Sequence, residues 1–227
     1  MSELSEPAAI EDLYAYWGET PPASRPLMQG DVFSGVVLPG LGEEPQLAQL
    51  VMHPCQMRQG PNLRPRISLV PLKASPQRIV SADWRKSIRI MPLPELHGPG
   101  TASYKADLCE PSPVPSAALD PAMRLASLSD DGVLLLQQRL VMGATRVHLS
   151  LDRFHEQMAP TFTEMELQEE WAEAALASGS ALEDAIKEFH AWLDEGAPTR
   201  RASLATVREH SRIRREARSA ITARYRP

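Results

Sequence analysis

The chain should fold as an α+β protein in which a proline-punctuated β body is followed by a helical extension. Three observations lead there. Between Pro21 and Pro121 prolines recur too densely for long helices, and the short segments between them are β-like. Beyond Pro160 two capping boxes announce helices. The last third also divides into an acidic and a basic block. The organisation implied is an N-terminal helix within 1–20, a β-rich body with one inserted helix over 21–158, and a helical extension over 160–227.

Residues 6–17 place Ile10, Leu13, Tyr14 and Trp17 at helical spacing, with Gly18 and Pro21-Pro22 as terminators. The predicted strands are GDVFSGVVL (30–38), QLAQLVM (46–52), RISLVPL (66–72), SIRIM (87–91) and SYKADLC (103–109). Turn signals separate them at Pro39-Gly40, Gly60-Pro61-Asn62, Ser75-Pro76 and Gly98-Pro99-Gly100. Short strands broken by prolines suit a small antiparallel barrel or a bent sheet better than a wide parallel one. Pro111, Pro113 and Pro115 predict an extended connector, and Ser129 an N-cap for a helix over 130–142 with Val133, Leu136 and Leu140 on its buried stripe. RVHLSL (146–151) alternates in polarity and is expected to return as the last strand.

The capping boxes are Thr163–Glu166 and Ser180–Glu183, predicting helices over 164–178 and 181–195. Gly179 separates them, Gly196 and Pro198 end the second, and Leu167, Trp171, Leu182, Ile186, Phe189 and Leu193 supply the contacts of a helical hairpin. A third helix is expected over 203–224, with Leu204, Val207, Ile213, Ala217 and Ile221 on one side.

The formal charge of −5 hides a polarity. Residues 163–195 hold ten acids against Lys187 alone, whereas 200–227 hold nine arginines against Glu209 and Glu216. Those arginines are Arg200, Arg201, Arg208, Arg212, Arg214, Arg215, Arg218, Arg224 and Arg226. They could neutralise phosphates or an acidic partner, or lie against the acidic hairpin of their own chain or of a symmetry mate. The pairing reading ranks first, because patterned charge more often describes paired or solvated faces than binding sites.

Composition narrows the classes. No stretch approaches the roughly 20 apolar residues that span a bilayer, and MSELSEPAAIEDL lacks a signal peptide's features, so a cytoplasmic location and no membrane partner are expected. Two cysteines, Cys55 and Cys109, are too few for a disulfide framework. Aromatic content of 5% argues against rows of rings stacking single-stranded bases. There is no P-loop, dinucleotide fingerprint, HExxH or paired-carboxylate motif, and no cofactor is expected.

LVMHPCQMRQGPNLRPRISLVPL (50–72) is the most unusual segment. His53 and Cys55 would share one face if the strand continued, a thiol–imidazole arrangement that needs the ring to reach the sulfur. His53, Cys55, His97 and Cys109 are residue types that ligate zinc, but their spacing matches no close-paired module and no metal is expected. His148 and His155 read as ordinary surface or partly buried histidines.

GDVFSGVVLPG (30–40), the following hydrophobic strand, a loop with Arg58, and RISLVPL (66–72) together resemble the start of PemK/MazF-type toxins, which are small SH3-like barrels. The resemblance covers about 45 residues. It implies a metal-independent endoribonuclease in which Arg58 or Arg64 stabilises phosphoryl charge and Ser68 or Ser75 supplies a hydroxyl. The preferred expectation is a non-enzymatic binding or adaptor protein of a bacterial toxin–antitoxin or defence setting. It would contact a protein partner, a second copy or nucleic acid through its charged helices.

Overall fold

The computed structural model describes residues 4–225, which gather into two compact units. One comprises the chain up to Pro21, Leu27–Met57 and Leu63–His155; the other Pro22–Pro26, Arg58–Asn62 and the chain from Glu156. In chain order the elements are β1 (Val32–Val36), β2 (Gln46–Leu50), α1 (Pro54–Met57), β3 (Arg58–Gln59), β4 (Asn62–Leu63), β5 (Arg66–Ala74) and α2 (Ser81–Lys86). There follow β6 (Ile90–Leu93), β7 (Tyr104–Asp107), β8 (Ser112–Pro115), β9 (Arg124–Ala126) and α3 (Asp130–Thr145). Four helices finish the chain: α4 (Leu151–Ala177), α5 (Leu182–Leu193), α6 (Arg200–Leu204) and α7 (His210–Tyr225).

An antiparallel sheet in the order β6-β7-β5-β2-β1-β9, with β8 also on β5, organises the first unit, and it stays open rather than closing as a barrel. β5 is its hub because nine residues are enough to serve three partners. Arg66–Leu69 pair with β8, Leu69–Pro71 with β2, and Leu72–Ala74 with β7. Phe33, Leu50, Ile67 and Leu69 are fully buried in the core the sheet covers, each contributing about 1.5–3 kcal/mol of apolar burial. The Asp31 and Arg124 side chains, both fully buried, pair at 3.0 Å just ahead of β1 and in β9. Asp31 also accepts from the Met28 N–H at 3.0 Å and the Ser127 hydroxyl at 2.6 Å, so its charge is hydrogen-bonded on several sides, as a buried carboxylate requires.

The second unit packs α4 beyond Glu156 with α5, α6 and α7 around Leu167, Trp171, Phe189, Leu193, Leu204 and Ile213. Trp171, 5.9 Å edge-to-face from Phe189, donates its indole N–H to the Tyr225 hydroxyl, which donates to Glu188. The indole is thus buried with its one donor satisfied.

Several expectations need correction. No helix forms over 6–17. Only Glu11–Leu13 make a 3₁₀ turn, while the Ser129 N–H bonds the Leu13 carbonyl, Ala15 N–H bonds Ser127, and Tyr14 bridges Leu128. Those backbone groups are spent on tertiary pairing and are lost to an internal ladder. The connector at 111–115 is in part a strand, β8, tolerated because Pro113 and Pro115 sit beside β5 alone. Residues 146–150 form no strand: Arg146, left-handed at φ 62°, ends α3, and β9 takes the place beside β1. Ser129 does cap α3, accepting from the Gly132 N–H at 3.1 Å.

Thr163 and Ser180 are not N-caps. α4 starts at Leu151 and runs through Pro160, with Met158 and Phe162 buried on either side of it, so apolar packing outweighs the one lost backbone bond. Ala181 precedes α5 with no side-chain cap, while the Ser180 hydroxyl meets that of Ser178. The third helix is split into α6 and α7 by a 3₁₀ turn at Val207–Glu209, and Thr199 caps the first piece.

Candidate functional site

The arginine block lies within the helical unit, where most of it is spoken for. Arg214 pairs with Glu166 and Arg218 with Glu170 at 2.8 Å. Both pairs step by four residues on α7 and on α4, so successive helical turns meet in register. Arg201 pairs with Glu164 and, at 2.6 Å, with Asp194; Arg224 with Glu188 at 3.3 Å. Arg200 bridges Glu195 at 3.0 Å and Glu216 at 3.1 Å, and Arg212 bridges Glu209 at 2.8 Å and Glu216 at 2.5 Å. Water screens the more exposed of these pairs, such as Arg218–Glu170 and Arg224–Glu188, and leaves them little net stabilisation, so their main effect is to cancel charge. Arg226 lies outside the described residues.

Arg208 and Arg215 differ. Both are exposed and neither forms an ion pair among the described residues. Arg215 shares its side of α7 with Ser211, Ser219 and Thr222, at helical spacings of 4, 4 and 3 residues, and these line an open groove of about 720 Å³. A second groove of about 570 Å³ follows the α4 side of α7, and Arg218 and Thr222 border both. Glu173 lines the second groove, its carboxyl held above the usual range by burial and then by Glu169 and Glu170. What remains of the block is a narrow cationic strip flanked by small polar side chains.

The same unit also holds buried polar side chains. His190 is 3% exposed, and Arg201 Nη2, which can only donate, lies 2.8 Å from His190 Nδ1. The ring is therefore neutral, its pKa pushed down to about 4 by burial first, then by the positive charges of Arg201 and Arg58, against a weaker pull from Asp194. His210 joins α6 to α4: Nε2 donates to the Leu204 carbonyl at 2.7 Å and Nδ1 meets the Thr163 hydroxyl at 3.1 Å. Thr163, an N-cap by its sequence, instead also accepts from Arg214 at 3.3 Å. The Gln168 amide, 1% exposed, has no hydrogen bond among the described residues.

The sequence-predicted chemistry is dispersed. His53 and Cys55 sit at α1 rather than along a strand, and the Cys55 backbone N–H donates to His53 Nδ1 at 3.2 Å. The imidazole lone pair thus faces the main chain, and burial lowers the His53 pKa. Cys55 and Cys109 are exposed thiols. His97 meets the Tyr104 ring edge-on at 5.9 Å, and no group of three metal-ligating side chains occurs among the described residues. His148 is exposed in the 146–150 link, and His155 is exposed within α4. Arg58 belongs to the helical unit, while Arg64 and Ser68 belong to the sheet unit. Arg64 is exposed, Ser68 lies in β5 opposite Pro113, and the Ser75 hydroxyl donates to the Gln77 carbonyl.

His190, His210 and Gln168 carry no motif, and only the fold reveals them. Arg25, which pairs with Glu169 at 3.1 Å, is likewise invisible in sequence, being 144 residues away. Neither a protein-family model nor a curated protein matches this chain.

Proposed function

We propose that the chain is a non-enzymatic binding or adaptor protein that holds an acidic partner on the outer face of α7. The observation that carries this reading is the selective pairing of the arginine block. Arg200, Arg201, Arg212, Arg214, Arg218 and Arg224 are engaged by carboxylates of the same unit. Arg208 and Arg215 are exposed with no ion pair among the described residues, and Arg215 stands on a polar groove. Two guanidinium groups seven residues apart in sequence, Arg215 on α7 and Arg208 in the 3₁₀ turn that leads into it, suit a short acidic stretch of a protein partner better than a long phosphate backbone. The toxin–antitoxin or defence setting is the one the PemK/MazF resemblance supplies.

Fluorescence anisotropy with a labelled oligoglutamate peptide at low salt tests this on the full chain. Native protein should bind, and Arg208→Glu with Arg215→Glu should abolish binding without changing the circular dichroism. Equal binding by both proteins would remove the α7 face as the contact surface.

A second reading, a metal-independent endoribonuclease of PemK/MazF type, is favoured by one feature. β1, β2 and β5 form an antiparallel meander in chain order, led by the Gly30-Asp31 entry on which the resemblance rests. Cleavage of a long RNA in EDTA by native protein, lost in Arg58→Ala or Arg64→Ala, would support it. RNA left intact by native protein would end it.

A further inference from the structure

In the sheet unit, the turn into β6, the residues after β7 and the end of α3 enclose a cavity of about 320 Å³. It is lined by Arg89, Arg139, Arg146 and Cys109, with Ile88, Leu108 and Leu140 as an apolar wall, and no carboxylate lines it. Arg139 is fully buried, and its recorded partners are carbonyls: Leu135 at 3.1 Å, Ile90 at 3.2 Å, Trp84 at 2.8 Å and Ser5 at 3.5 Å. Its guanidinium also stands 5.1 Å from the Trp84 ring. Dipoles and a π face hold this cation in place, but nothing among the described residues cancels its charge, and burial pulls its pKa down to about 10.

Arg89 and Arg146 are exposed at the same cavity, and neither forms an ion pair among the described residues. The nearest acids in sequence are committed elsewhere: Asp107 and Glu110 lie 3.5 Å and 3.3 Å from Lys73. The end of α3 contributes roughly half a negative charge, far short of balancing three arginines, and the Arg146 N–H already satisfies the Met142 carbonyl. The lining therefore combines three guanidinium groups with apolar side chains and holds no carboxylate.

We infer that this cavity binds a small organic phosphate monoester, with its phosphate on Arg89 and Arg146 and its apolar body against Ile88, Leu108 and Leu140. Planar guanidinium forks match phosphate oxygens two at a time, and Arg139 adds attraction from a water-poor wall where it is weakly screened. The volume falls at the small end of ligand cavities, enough for a phosphate and one ring. The site is independent of the α7 face and stands or falls separately from it.

Phenyl phosphate and inorganic phosphate, titrated calorimetrically into the full chain, test the assignment. Phenyl phosphate should bind at least tenfold more tightly than inorganic phosphate, and Arg89→Gln with Arg146→Gln should weaken both at least tenfold. These two side chains have no ion pair to lose among the described residues, so folding should be unaffected. In a Cys55→Ser chain, alkylation of Cys109 by iodoacetamide should slow severalfold under saturating phenyl phosphate. Equal affinity for the two ligands would overturn the monoester assignment. Absence of binding, affinity unchanged in the double variant, or an unchanged Cys109 rate would overturn the site.

Discussion

Replacing His190 by glutamine should flatten the acid limb of the stability curve. In the folded chain His190 is neutral because Arg201 donates to Nδ1, and its pKa stands near 4 against about 6.5 when unfolded. Between those values the unfolded chain binds a proton the folded chain refuses, so acid favours unfolding. The stability associated with the neutral ring is complete above pH 6.5 and drains away as pH falls toward 4. From pH 7 to pH 4.5 the loss from this one group is about 2 kcal/mol, the larger part of the roughly 3.4 kcal/mol that a roughly 300-fold difference in proton affinity gives once the pH is well below 4. In the His190→Gln chain the side-chain amide can still accept from Arg201 and does not titrate. Urea unfolding of both chains at half-unit pH steps should give curves that diverge by about 2 kcal/mol across this range, the native chain falling faster. Parallel curves would mean that His190 protonates in place, and would refute the neutral, Arg201-bonded ring.

Gly132→Ala reverses the usual helix rule. Alanine normally gains about 1 kcal/mol over glycine inside a helix, but a Cβ here would lie 2.4 Å from the Leu13 carbonyl oxygen, so denaturation should show a loss of about 2 kcal/mol. Asp31→Ala removes the carboxylate paired with the fully buried Arg124 and should cost about 3–5 kcal/mol by the same assay. Arg218→Ala removes only an exposed cation from its pair with Glu170 and should leave the urea midpoint almost unmoved; a clear downward shift would make these pairs structural rather than charge-cancelling.

Local chemistry made the strands and α3 legible: β1, β2, β5, β6 and β7 lie within or overlap their sequence windows, and Ser129 caps the helix it announces. Misreadings arose wherever tertiary pairing competed with a local rule. Leu13 and Tyr14 have helical periodicity, yet their backbone groups and that of Ala15 bond 127–129. Thr163 has the form of a capping box, yet packing carries α4 back across Pro160 to Leu151 and frees its hydroxyl for His210. The charge split was plain in composition. Which arginines are spent depends on the pairing of α4 with α7, which no single segment encodes. The cavity of Arg89, Arg139 and Arg146 draws on three separate stretches of chain and had no sequence signature at all.

The salt dependence of binding to a short generic DNA duplex tests the charge-cancelled arginine helix most directly. The logarithm of the binding constant falls with that of salt by about 0.9 per phosphate neutralised. Within the arginine block only Arg208 and Arg215 are exposed without an ion pair among the described residues, so changing both to Glu in the full-length protein should make the slope shallower by about 2. Arg214→Ala with Arg218→Ala should then leave the slope unmoved; a further shallowing by about 2 would show that those arginines abandon Glu166 and Glu170 for phosphate, contradicting the proposed division of the block into paired and free arginines.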